Sequence, residues 1–229
     1  EPRHYAAVKE LLQRCYDAGD IELDTYSGKY CVACEEYFTD DELLDGGICP
    51  IHKRPVEHFE EENYFFRLSR FQDKLLQWYG DHPGAIVPEF RGNEALGLIR
   101  GGLRDFSVSR TSLDWGIPLP WDERHVTYVW FDALTNYLSA TGFGDPSVEY
   151  TSRWPVDYHL IGKDIIRHHC VYWPAMLMSA GVDLPKGWAV GGWLLVDGEK
   201  MAKSTGNVVN PLDLIDVVGV DGFRYYVLA

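Results

Sequence analysis

Positive charge is scarce in this chain of 229 residues: 21 Lys and Arg stand against 35 Asp and Glu, a formal net charge of −14. That balance excludes a general polyanion binder. The deficit is concentrated in residues 1–62, with 16 acidic and six basic side chains. Any nucleic acid has to be met by a local patch or by parts outside this chain. Long hydrophobic runs are also lacking. None is long enough to span a bilayer, and no signal peptide is visible, so no membrane partner is expected. Cysteine is limited to five, an odd number. Without a secretory signal, a disulfide framework is not expected. Cys15 and Cys170 lie in apolar helical stretches and are expected to be small buried hydrophobes. There is no internal repeat and no low-complexity tract. There is no initiator Met, and the chain ends within the apolar Tyr225-Tyr226-Val227-Leu228-Ala229. Both ends are expected to have been cut from something longer.

What is present is enough apolar residue for one large domain or two small ones, with a well-packed core. Val8, Leu11, Leu12, Cys15 and Tyr16 form one helical stripe, stopped by Gly19. Residues 21–60 read as short β-prone pieces among turns and acidic residues. They hold too little apolar content for a core, so the segment needs a staple. Helical patterns return at about 64–79 and 93–104, and Pro118 and Pro120 mark a linker. The second half alternates strand and helix. Strands are predicted at Val126–Phe131, Tyr158–Ile161 and Ala189–Val196, the last turning at Asp197-Gly198. Helices are predicted from Asp132 to about Ala140 and from Asp164 to Ala180. Asn210 is the expected N-cap of a helix with Pro211 at its first position. This alternation argues for an α/β fold with a parallel sheet.

Three groups of residues carry chemistry. Cys31-x-x-Cys34 and Cys49-x-x-His52 form two short knuckles. Three thiolates and an imidazole suit tetrahedral Zn²⁺, with Zn–S of about 2.3 Å. No position is left for water, so the site is read as structural; His58 is a rival ligand outside the knuckle. In open α/β sheets ligands sit at the carboxyl ends of strands. Trp130-Phe131-Asp132-Ala133 and Gly162-Lys163-Asp164 are two such ends. Helices following them carry Tyr137 and the set His168, His169 and Trp173. Trp130, Tyr137, His169 and Trp173 could line an aromatic pocket suited to a thioether or short alkyl group. The plainer reading makes the aromatic residues core and makes Asp132 and Asp164 helix N-caps. It makes the adjacent histidines one surface residue and one core residue. Finally, Lys200-Met201-Ala202-Lys203-Ser204 puts two lysines on one loop, suited to a developing pyrophosphate, or else to a solvated basic turn.

Together these motifs resemble the methionyl-tRNA synthetases, class I aminoacyl-tRNA synthetases, over essentially the whole chain. Residues 200–204 are similar to the family's K-M-S-K-S loop, and Gly206-Asn207-Val208-Val209-Asn210-Pro211 to the segment after that loop. Val129–Ala133 and His159–Ile165 are similar to its strand-end motifs, and Cys31, Cys34, Cys49 and His52 to its single zinc knuckle. The resemblance implies the second half of a Rossmann-type nucleotide-binding fold with an inserted zinc-containing connective domain. Residues 1–20 would end the first Rossmann half. Residues 21–118 would be the connective domain, with the knuckle at 31–52. Residues 119–209 would be the second half and 210–229 the start of a helical region.

The resemblance implies a cytoplasmic methionine–tRNA ligase that takes methionine, ATP with Mg²⁺ and tRNA(Met), with structural Zn²⁺ and no DNA. Lys203, assisted by Lys200, would hold the phosphates, with Ser204 beside them. Gly162, Lys163 and Asp164 would lie along the adenosine. Trp130, Ala133, Tyr137, His169 and Trp173 would shape the methionine pocket, and Arg110 matches an arginine near the active site. Two departures stand out. Ala202 replaces the middle serine of the loop, and nothing matches the family's H-I-G-H motif, so the chain alone is expected to be a partial, inactive catalytic domain. The other readings are a non-catalytic zinc-stapled module that binds tRNA or a protein, and a zinc hydrolase, which the closed ligand set disfavours. Oligomeric state is not readable.

Overall fold

The computed structural model describes residues 1–31, 36–38, 40–51, 53–111, 115–201 and 206–228. In chain order the elements are α1 (Pro2–Asp17), β1 (Ile21–Cys31), β2 (Glu36–Phe38), β3 (Glu57–Phe66) and α2 (Gln72–Asp81). Next come β4 (Ile86–Val87), α3 (Glu89–Arg100), β5 (Phe106–Ser107), β6 (Ser109–Arg110), β7 (Val126–Thr127) and α4 (Val129–Ser139). β8 (His159–Gly162) opens into a continuous helical run: a 3₁₀ turn at Lys163–Ile165, a π-helical turn at His168–Tyr172, then α5 (Trp173–Ser179). β9 (Trp188–Gly191), β10 (Leu195–Val196), β11 (Glu199–Lys200) and α6 (Pro211–Leu228) complete the order.

The apolar stripe of α1 buries Ala7, Val8, Leu11, Leu12 and Cys15 against α4 and α5. Tyr16 instead turns outward, where it stacks on Trp121 at 4.1 Å. Cys15 and Cys170 both lie in the main core. Burial pushes the Cys15 thiol up to about 12 and raises that of Cys170 as well, so both are inert at neutral pH.

Residues 21–66 differ from the expected short pieces. β1 and β3 form one long antiparallel pair, from Ile21↔Phe66 to Tyr30↔Glu57, with β2 and β5 on its flanks. Among the described side chains only its root is in the core: Ile21, Tyr64 and Phe66 are buried there, while Leu23 is already 44 % exposed. The predicted helix at 64–79 accordingly begins late, with a 3₁₀ turn at Leu68–Phe71 that leads into α2, because Tyr64–Phe66 are still ladder-paired to β1.

The parallel sheet has the order β4-β9-β8. β8 and β9 run in step from His159↔Trp188 to Gly162↔Gly191. β4 comes from within the 21–118 stretch, yet Ile86 and Val87 pair with Trp188 and Ala189. The expected linker at Pro118 and Pro120 is packed in place: Ile117 and Leu119 are buried, and the Ile117 carbonyl accepts the Thr127 N–H.

The strand predicted over Val126–Phe131 stops at Thr127, and the helix starts at Val129 with Tyr128 as its extended N-cap. A short run of β-branched and aromatic residues is ambiguous between buried strand and helix. Tertiary packing decides here, since Phe131, Leu134 and Leu138 bury one helical face. Two predicted boundaries hold. Asp197 and Gly198 both take positive φ, 53° and 82°, and close the β10–β11 hairpin. The Asn210 side-chain oxygen accepts the Leu212 N–H at 3.1 Å, capping α6. Among the described residues no helix is long and apolar enough to cross a membrane.

Candidate active site

On α4, Trp130, Ala133 and Tyr137 are three and four residues apart and share a face. Ala133 is exposed, and with only a methyl group it leaves a gap between the two larger side chains. Asp132 is not the N-cap. It sits in the first turn, half-buried, and its carboxylate lies 2.5 Å from His4 Nε2 on α1. His4 Nδ1 reaches Ser139 Oγ at 3.0 Å, so one α1 side chain bridges the two ends of α4.

The helical run after β8 faces α4. Its π-helical turn brings adjacent histidines onto two levels of that helix. The His168 ring lies flat on Trp130, with centroids 3.6 Å apart and planes at 16°. The His169 ring meets Tyr137 two turns further along α4. π-Helical turns are rare in α-helices and recur at functional sites. The Ile165 carbonyl can only accept, so His169 Nδ1 donates to it at 3.0 Å, and Nε2 accepts the Tyr137 O–H at 2.8 Å. His169 is thus the satisfied core member of the pair. His168 is half-buried rather than a free surface residue, with a buried Nδ1 that has no hydrogen-bond partner among the described residues.

Behind these rings lies a second tier built from Trp173 and His159. The Trp173 N–H donates to His159 Nε2 at 3.2 Å, and the Tyr137 ring sits 4.1 Å from that of His159. Trp173 is fully buried, so it backs the pocket and does not line its opening. His159 opens the strand-end motif His159–Ile165, but the sequence assigns its side chain no role. Burial pushes His159 and His168 down to about 4, helped in each case by His169; burial lowers His169 too. All three imidazoles are therefore neutral near pH 7, and the wall is uncharged. Burial also raises the Tyr137 hydroxyl, keeping it protonated as a donor.

Arg110 is buried. It donates to Ser107 Oγ and the Ser109 carbonyl and lies 4.2 Å over the ring of Tyr128, the residue that starts α4. Two open grooves are bounded by other residues. One, of about 580 Å³, is bounded by Thr151–Tyr158 and Lys186; the other, of about 470 Å³, by residues from Tyr79 to Leu96. Neither contains a residue singled out from sequence as a ligand contact.

At the end of β8, Gly162 is exposed and a side chain there would meet nothing within 4 Å, so a ligand can approach the backbone. Asp164 is not the N-cap of the helical run; that position is Gly162, and Asp164 lies in the first turn. Lys163 Nζ sits 3.4 Å from the ring centroid of Trp193, and the Trp193 N–H donates to Asp164 Oδ1. Lys200 ends β11. Lys203 and Ser204 lie outside the described residues.

Cys34 and His52 also lie outside them. Cys31 and Cys49 are both buried, at 2 % and 0 % exposure, and neither belongs to the main core that takes in Cys15 and Cys170. Around Cys49 the chain makes a tight turn: the Cys49 N–H donates to the Arg54 carbonyl, the Cys49 carbonyl accepts the Lys53 N–H, and Lys53 takes φ +53°. Two thiols sheltered in an acidic, core-poor segment fit a metal staple. Among the described residues no group of three or more metal-ligating side chains converges. His58, the rival ligand, is in β3 opposite Lys29.

Comparison with known proteins extends this geometry. A methionine–tRNA ligase of Clostridium perfringens is 52 % identical over 227 residues, covering 98 % of this chain and 35 % of that protein. One of Streptomyces coelicolor is 49 % identical over 235 residues, covering 100 % and 44 %. The structure of Mycobacterium tuberculosis methionyl-tRNA synthetase in complex with methionyl-adenylate superposes with a TM-score of 0.88 at 51 % identity, covering 100 % of this chain and 46 % of that one. The chain therefore spans between a third and a half of the length of these relatives. The family model described as tRNA synthetases class I (M) matches residues 41–229, and the chain belongs to that family.

Proposed function

We propose that this chain supplies the methionine pocket and the pyrophosphate side of a methionine–tRNA ligase. The observation that carries the reading is the meeting of α4 and the helical run: Trp130, Tyr137 and His169 form an uncharged wall backed by Trp173, beside the open strand end at Gly162. An uncharged aromatic wall suits a thioether, whose sulfur is soft and polarisable. Ala133 leaves the room between Trp130 and Tyr137. Fit of this kind discriminates by roughly 1–3 kcal/mol per methylene.

In the reaction the methionine carboxylate oxygen attacks the α-phosphorus of ATP. The bond to the β-phosphate oxygen breaks, and pyrophosphate leaves with its electron pair. A ribose hydroxyl at the end of tRNA(Met) then attacks the methionyl carbonyl, and AMP leaves. Nucleophile and leaving group belong to the substrates, so the protein acts by positioning and electrostatics. Gly162, Lys163 and Asp164 would flank the adenosine. Lys203, with Lys200 and Ser204, would hold the phosphates of ATP, which arrives with Mg²⁺. Cys31, Cys34, Cys49 and His52 would hold a zinc ion that supplies folding energy and no chemistry. The domain limits are assigned as 1–20, 21–118, 119–209 and 210–229, with β4 reaching from the second unit into the sheet of the third. The setting is cytoplasmic.

The test is ATP–pyrophosphate exchange by the protein that the full reading frame encodes. Exchange should require methionine, and Lys203→Ala should abolish most of it. Exchange indifferent to Lys203 removes that residue's role. A non-catalytic zinc-stapled module would show no exchange and no affinity for a stable methionyl-adenylate analogue.

A further inference from the structure

We propose that Trp193 is a positioning residue that latches the lysine hairpin to the nucleotide end of β8. The proposal rests on the reading of Lys163, Asp164 and the lysine loop as the ATP side. β8 and β9 end in step at Gly162↔Gly191, and both ends are glycine. A Cβ on Gly162 or Gly192 would meet no atom within 4 Å. The first side chain to rise from the end of β9 is therefore Trp193. It is 43 % exposed, yet it is held at two points. Its ring face receives the Lys163 ammonium at 3.4 Å, and its N–H donates to the Asp164 carboxylate. One indole thus engages both charged residues of the β8 end.

The next residues root the hairpin. The Leu194 carbonyl accepts the Met201 N–H at 2.9 Å, and Leu195 pairs with Lys200. The strand that carries Lys200 is closed onto the residue that follows the indole. The two contacts of Trp193 thus anchor the root of the hairpin to the β8 end. Conversely, a nucleotide that takes Lys163 and Asp164 takes them from the indole, and so loosens the root of the hairpin. Nucleotide capture and release of the hairpin root are thereby coupled through a single side chain.

The test uses the protein of the full reading frame in three forms: unchanged, Trp193→Phe and Trp193→Ala. Backbone hydrogen exchange is followed over residues 194–201 without nucleotide, and steady-state exchange kinetics give KM for ATP and for methionine. Trp193→Ala should speed exchange in that segment roughly tenfold, with α1 unchanged. Trp193→Phe, which keeps the ring face and loses the N–H, should fall between. The KM for ATP should drop several-fold in Trp193→Ala while that for methionine stays. A merely structural tryptophan would move both constants or neither. Unchanged amide exchange in Trp193→Ala overturns the latch. Faster exchange with an unchanged KM for ATP leaves the latch standing and overturns the nucleotide assignment of Lys163 and Asp164 beneath it.

Discussion

Along α4 and the helical run, rings are buried against rings, and Tyr137, His159, His169 and Trp173 hydrogen-bond within the wall; along the shaft of β1 and β3, a long ladder carries few buried side chains beyond its root. The wall keeps its shape by burial: Phe131 and Trp173 are at 0 % exposure, and the Ile165–His169–Tyr137 chain fixes ring orientation. The arm has backbone pairing and two sheltered thiols, Cys31 and Cys49, but little apolar surface to hide. The contrast teaches that two regions of one protein can rest on different terms: hydrophobic burial in the wall and, on the zinc reading proposed above, metal–ligand bonds in the arm. Each should then fail without the other.

The largest break is expected from removing the metal. The purified protein should contain about one equivalent of zinc. Structural zinc contributes about 10 kcal/mol or more of coupled folding energy in small finger peptides. Chelation or Cys49→Ser should therefore abolish amide protection in the outer shaft, residues 24–31 and 57–62, while α4 keeps its own. Metal content well below one equivalent in a chelator-free preparation would remove the staple. Next in size, Trp173→Ala should cost about 3–5 kcal/mol in denaturant unfolding, since it deletes a fully buried ring and the donor to His159. The shaft should stay protected in that variant; joint loss would merge the two regions into one.

Acid should weaken the wall. His159 and His168 titrate at about 4 in the folded chain and near 6.5 when unfolded. Their stabilising effect is complete above pH 6.5 and falls as pH drops toward 4, because the unfolded chain takes up protons that the folded one refuses. The loss approaches about 3 kcal/mol per histidine. Melting temperature against pH should show this slope, and His168→Phe should flatten it; an equal slope in the variant would put the proton uptake elsewhere. The smallest effect is Tyr137→Phe, which deletes the hydroxyl that His169 accepts. About 1 kcal/mol of stability should go, with a raised KM for methionine and an unchanged KM for ATP.

Much of the fold was legible because its signals were local. The α1 stripe, the Asp197-Gly198 turn and the Asn210 cap each depend on residues within one or two turns of one another. The family resemblance rested on short contiguous motifs, and membership of the family is borne out. The illegible parts depend on distant partners. Ile86-Val87 is too short to read as a strand, and its pairing to Trp188 decides it. Residues 21–60 read as short β-prone pieces among turns, yet β1 and Glu57–Phe66 join in one long ladder. The start of α4 at Val129 comes from the burial of Phe131, not from the propensity of Val126–Phe131. The π-helical turn that separates His168 from His169 has no sequence signature, and neither does the reach of Trp193 back to Lys163.

The central claim is that α4 and the helical run together grip the methionyl group. The most direct measurement is calorimetric titration of a stable methionyl-adenylate analogue into the protein of the full reading frame, unchanged and as Tyr137→Phe and His169→Ala, with ATP titrated in parallel. The account predicts that both variants lose affinity for the analogue and for methionine, while ATP binding is unchanged. Undiminished analogue binding in His169→Ala, or a loss shared equally by ATP, would contradict it.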